Sequence, residues 1–238
     1  MCAETTTDHV DDRIQKHKYR PIAFLIPLSV FIASVAGPAI LIGVAIALTS
    51  TEYVMSHLYF YGTCGQILMD FLPVFLLIRS RQKWPSSRRN QVKGIIVGLA
   101  GAAVLAAVRY AVKGRLIFME QVPAFGQSLA LPFPWNMLSA VLAVLAYGPG
   151  EALFMVYLIR AFDEAAGHQQ RLMSWGVILN ALLWGLPHIG NAIFFGWSAI
   201  GNAIFMVVIG TIIGLMQKGT RSALAPIIFW TLINGTSA

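Results

Sequence analysis

Residues 135–160 read WNMLSAVLAVLAYGPGEALFMVYLIR, an apolar run that carries a single carboxylate, Glu151, in its interior. About twenty apolar residues suffice to cross the roughly 30 Å hydrocarbon core of a bilayer, so this run predicts a membrane span. A charge at that depth costs about 3 kcal/mol or more, and a membrane protein rarely keeps one without a use. Working outward, six comparable runs follow, giving seven in all: 22–48, 53–78, 94–112, 135–159, 172–188, 193–216 and 222–237. Only helices satisfy their own backbone over such lengths in lipid. The sequence therefore predicts an all-α, polytopic transmembrane helix bundle of about seven spans. Residues 1–21 are read as a cytoplasmic tail and 22–238 as one membrane domain. Gly37-Pro38 predicts a kink in the first helix. The break at Gly190-Asn191 is so short that residues 189–198 are an alternative interfacial or re-entrant loop.

Composition supports this and excludes other classes. Charged residues make up 11% of the 238 residues, hydrophobic ones 57%, and mean hydropathy is +0.69. A soluble domain would carry about a quarter charged residues. The net charge of +7 does not indicate a nucleic-acid partner, because the basic residues sit in loops and not in a stripe interleaved with aromatics. Cys2 and Cys64 are too few for a disulfide framework and too far apart for a metal clip. The N-terminal residues lack the pattern of a cleavable signal, so the first span is expected to stay as an anchor.

Arg79, Arg81, Lys83, Arg88, Arg89 and Lys93 crowd the link between the second and third runs, which predicts that link to be cytoplasmic. Seven spans then put fourteen of the seventeen Lys and Arg residues inside, with Arg109, Lys113 and Arg115 as the exceptions. The N-terminus is expected in the cytoplasm and the C-terminus outside. Residues 113–134 form the one sizeable outer link, ending in PFPW.

Two residue types at bilayer depth suggest chemistry. Glu151 is either a structural carboxylate or a general base or proton carrier, and its location favours the second. His188, in ALLWGLPHIGN, is either an interfacial polar residue or a partner able to polarise a water, since its two ring nitrogens can hold different partners. At 1.5 Å per residue, the predicted run ends leave these two about 10 Å apart in depth unless helix breaks at Pro149 or Pro187 bring them together. Asp70, one helical turn after Gln66, is expected either to pair with Arg109 or to join Glu151. Asn180, Asn202 and Asn234 are ordinary interhelical hydrogen-bonding residues by type. No GxSxG, HExxH, phosphate-loop or dinucleotide motif is present, and the last run has no lysine for a retinal Schiff base.

Glu151, His188 and the last run together resemble the CPBP family of intramembrane proteases, which includes the CAAX prenyl endopeptidases and bacteriocin-processing proteins. That family carries a double glutamate followed by an aromatic and an arginine. An aromatic four residues before a histidine follows, then a histidine four residues before an asparagine. Trp184 and His188 match the second motif, with Asn191 following as in relatives. The first motif keeps one glutamate: Glu151 is either its first, with Ala152 and Val156 at the other positions, or its second, with Gly150 and Met155 there. In the third, within SALAPIIFWTLIN, Asn234 holds the asparagine position and Trp230 stands where the histidine would be. The resemblance covers about residues 94–238.

It implies a peptidase in which Glu151 and His188 activate a water, with Asn234 or Asn191 steadying the oxyanion. Trp184 and Asp70 would support them. No metal or other cofactor is expected, a bound divalent metal being the one admitted exception. The partners are the lipid bilayer and a peptide or membrane-protein substrate or partner. Two alternatives stand beside it: a catalytically inactive relative acting in binding, immunity or assembly, and a small transporter or proton relay through Asp70, Glu151 and His188.

Overall fold

The computed structural model describes residues 21–79, 87–114, 123–167, 171–190 and 197–235. Every regular element among them is helical. In chain order these are α1 (Pro21–Leu48), α2 (Thr51–Ser56), α3 (Leu58–Arg79), α4 (Arg88–Lys113), α5 (Pro123–Leu129) and α6 (Trp135–Leu145). A π-helical turn (Ala146–Gly150) joins α6 to α7 (Glu151–Ala166), and α8 (Trp175–Gly190), α9 (Ser198–Thr220) and α10 (Leu224–Gly235) complete the bundle.

Each of the seven apolar runs coincides with a helix or helix pair. Among the described residues, five helices are long and apolar enough to cross a membrane, α6, the π turn and α7 counting as one of 32 residues. α8 and α10 are also apolar, but at 16 and 12 residues they reach only about 24 and 18 Å. Several boundaries differ from the sequence reading, α4 for one starting at Arg88 and not at 94. α1 is one helix that holds both Pro27 and Pro38, its ends within a residue of the expected run. The sixth run starts late, at Ser198, and residues 191–196, where the loop was expected, lie outside the described residues. The fourth run continues past 159 to Ala166. The expected N-terminal tail also lies largely outside the described residues.

α7 is the central helix, packed against α1, α3, α8, α9 and α10. Between Glu151 and Arg160 the helix is apolar all round and must be covered all round, and Ala152, Phe154, Met155, Val156, Leu158 and Ile159 are all fully buried. The outer helices turn large apolar side chains outward instead, such as Ile22, Ile40, Phe71 and Ile96, as a lipid-facing surface requires. Where helices touch most closely, glycine removes the obstacle. A Cβ at Gly98 of α4 would stand 2.9 Å from the Ala225 carbonyl of α10. One at Gly176 of α8 would stand 2.0 Å from the Ile159 carbonyl of α7, so α7 and α8 meet backbone to backbone there.

Candidate active site

The site begins with a proline. Pro149 has no N–H to offer Leu145, so the helix widens, and the N–H of Glu151 reaches the carbonyl of Ala146, five residues back. This turn sets the direction in which Glu151 leaves the backbone. Its carboxylate is buried at 8% exposure and cannot stay there without donors. Two come from α10: Trp230 Nε1 donates to Oε2 at 2.6 Å, and Asn234 Nδ2 donates to the same oxygen at 3.2 Å. The Asn234 amide also donates to the Tyr147 carbonyl in the widened turn. Its two amide hydrogens are therefore engaged. Both named donors converge on Oε2, which leaves Oε1 as the oxygen open to a further partner.

Asp70 of α3 is the second carboxylate, at 5% exposure. Gln66, one turn earlier, donates from Nε2 to both of its oxygens, at 3.2 and 3.1 Å. A Cβ at Gly150 would lie 2.5 Å from Asp70 Oδ2, so the carboxylate rests against the backbone of the residue preceding Glu151. Of the two partners foreseen for Asp70, the structure selects the Glu151 group. Arg109 goes elsewhere: its Nη1 donates to the Ile233 carbonyl at 3.1 Å, and its guanidinium lies 5.8 Å from the centre of the Phe205 ring.

His188 lies near the end of α8, half-buried, with Nδ1 3.0 Å from the Trp184 carbonyl. A carbonyl only accepts, so Nδ1 carries the hydrogen and the lone pair is on Nε2. Trp184 is buried and packs edge-on against Phe154, with ring centres 5.7 Å apart. Gly176 donates to Asp163 Oδ1 at 2.8 Å and faces Ile159. These contacts fix the antiparallel register of α7 and α8: 176 lies beside 159–163 and 184 beside 154, which carries 188 to the level of about 150. The 10 Å depth difference expected from the sequence is therefore wrong. α7 ends seven residues beyond the predicted boundary, a shift of about 10 Å, which removes it.

Asn191 lies outside the described residues. Asp163 had no place in the sequence reading, yet it is buried at 2% exposure and bound by Lys218 Nζ at 2.5 Å. No motif marks it, and beside Arg160 and Glu164 it reads as one charge of an ordinary polar helix end. Trp230 was read as a lost histidine, whereas it is the nearest donor to Glu151. Among the described residues no three His, Cys, Asp or Glu side chains gather as a metal centre would need.

Residues 132–236 match the model of the Rce1-like family, described as type II CAAX prenyl endopeptidase Rce1-like. The match agrees with the CPBP resemblance and spans α6 to α10, so it contains Glu151, Trp184, His188, Trp230 and Asn234. Asp70 and the whole of α4 fall outside it, so it is narrower than the stretch from 94 onward. No curated protein and no solved structure matches the chain.

Proposed function

We propose that this membrane protein, whose helices α6 to α10 match a CAAX-protease-type family, is an intramembrane peptidase acting through Glu151 and His188. The observation that carries the reading is the shared level of two complementary groups. Glu151 has one oxygen fixed and one open, and His188 has its lone pair on Nε2. A water between them donates one hydrogen to each, and its own lone pair then points at a peptide carbonyl. Glu151 takes the proton as the water oxygen bonds to the carbonyl carbon, and returns it to the amine nitrogen as the C–N bond breaks. Glu151 meets both third-motif positions, Trp230 and Asn234, and either register of the first motif keeps it. Asn234 acts by holding Glu151, since its amide hydrogens are occupied.

The family's printed description directs the choice of substrate: a quenched fluorescent peptide ending in a prenylated cysteine motif. The purified protein in lipid vesicles is expected to cleave it. Glu151→Gln and His188→Ala are each expected to lose about 10²-fold or more, the usual contribution of a positioned acid–base group. Cleavage by both variants at the wild-type rate would overturn the reading.

Trp230 favours a second reading, a non-catalytic relative that binds a membrane peptide or partner protein. An indole donates but accepts no proton, and it occupies one oxygen of the carboxylate at short range. On that reading the wild-type protein binds the peptide without cleaving it. The placement of the N-terminus in the cytoplasm and the C-terminus outside belongs to both readings and follows from the basic loop around residues 79–93.

A further inference from the structure

We propose that Asp70 and Glu151 act as one carboxylate pair holding a single proton, with the proton on Asp70 and the charge on Glu151. Three observations lead there. The first is proximity: Gly150 leaves room for Asp70 Oδ2 directly against the turn from which Glu151 departs. A side chain at 150 would expel it.

The second is the absence of a neutralising cation at this place among the described residues. Of the helices packed on α3, α1, α5 and α6 have no titratable side chain in their ranges, and Glu52 of α2 is exposed. The π turn adds Tyr147, and α7 adds Glu151 itself, its Tyr157, Arg160, Asp163 and Glu164 lying further along the helix, Arg160 nine residues or about 13 Å beyond Glu151. Around Glu151, α10 has no titratable residue, and α8 supplies His188, which is bonded to Trp184. Lys218 of α9 is held by Asp163 toward the far end of α7. Arg109 of α4 donates to the Ile233 carbonyl and to neither carboxylate. Two adjacent acids buried without a counter-ion cannot both ionise, and such a pair titrates as a unit.

The third observation decides which acid carries the charge. Glu151 Oε2 accepts from two separate donors, an indole and an amide. Among the described residues, Asp70 accepts only the forked Nε2 of Gln66. More donors stabilise the ionised form, so the negative charge belongs on Glu151.

The pair stands independently of catalysis. Its consequence for hydrolysis rests on the peptidase reading: Asp70 keeps its proton throughout and acts as a positioning residue that leaves Glu151 the anionic base. Glu151 alone exchanges a proton with water and leaving amine.

Infrared spectroscopy of the full-length protein in vesicles tests this without a substrate. At neutral pH a carbonyl band of a protonated carboxylic acid is expected. It should shift on carbon-13 labelling of aspartate, stay in place on labelling of glutamate, and vanish in Asp70→Asn. In Glu151→Gln its titration midpoint should move to lower pH, because the neighbouring charge is gone. Absence of the band, a shift with glutamate labelling, or an unmoved midpoint in Glu151→Gln would each overturn the pair. The peptide assay on the wild type is read separately: the expected band without cleavage defeats the peptidase alone, and cleavage without the band defeats the pair alone.

Discussion

At the scale of single residues, Trp230 is the most informative side chain in the site. Its N–H supplies a short hydrogen bond to a buried carboxylate, and a bond to a charged group contributes about 1.5–3 kcal/mol. Trp230→Phe removes that donor together with the five-membered ring of the indole, so lost packing adds to the lost bond. It is expected to destabilise the protein by at least about 1.5–3 kcal/mol in a reversible unfolding measurement in detergent, and equal stability would show that the bond contributes nothing. Glu151 itself was legible in the sequence, because an acid inside an apolar run stands out. Its donors were not. Trp230 looked like a gap in a motif, and nothing in a linear pattern says that an indole on α10 will face a carboxylate on α7.

At the scale of elements, the site depends on how α7 lies against α8. The seven runs could be read directly, since lipid forces helices on any long apolar stretch. The end of α7 could not. Arg160 looked like the inner boundary, but the helix continues because Asp163 is buried and satisfied by Lys218 and the Gly176 N–H. That contact sets the register that brings His188 level with Glu151. Removing one partner of a buried ion pair costs about 3–5 kcal/mol, so Asp163→Ala is expected to fall in that range by the same unfolding measurement. A loss below about 1 kcal/mol would place the pair among exposed, weak ones. Gly176→Ala tests the register itself. Its Cβ would meet the Ile159 carbonyl at 2.0 Å, and backbone cannot yield as a flexible side chain can. The helices are expected to separate, with about 1–3 kcal/mol lost to overpacking and the proposed peptidase activity reduced with it. Unchanged stability and activity would mean that α7 and α8 do not meet there.

At the scale of the whole molecule, α7 is a central helix with an apolar middle between Glu151 and Arg160, surrounded by helices whose outer faces suit lipid. The orientation of this bundle is testable with an impermeant thiol reagent on intact cells, using a variant lacking Cys2 and Cys64. Arg88→Cys, at the exposed start of α4, is expected to be protected, and Ala130→Cys, in the predicted outer link, to be labelled. The reverse pattern would invert the topology. The central claim is that Glu151 and His188 act on one water. The most direct measurement is a double-mutant cycle on cleavage of the prenylated peptide. If the two act as a unit, Glu151→Gln combined with His188→Ala is no slower than either single variant. Losses that multiply, or no loss in either single variant, would contradict a shared site.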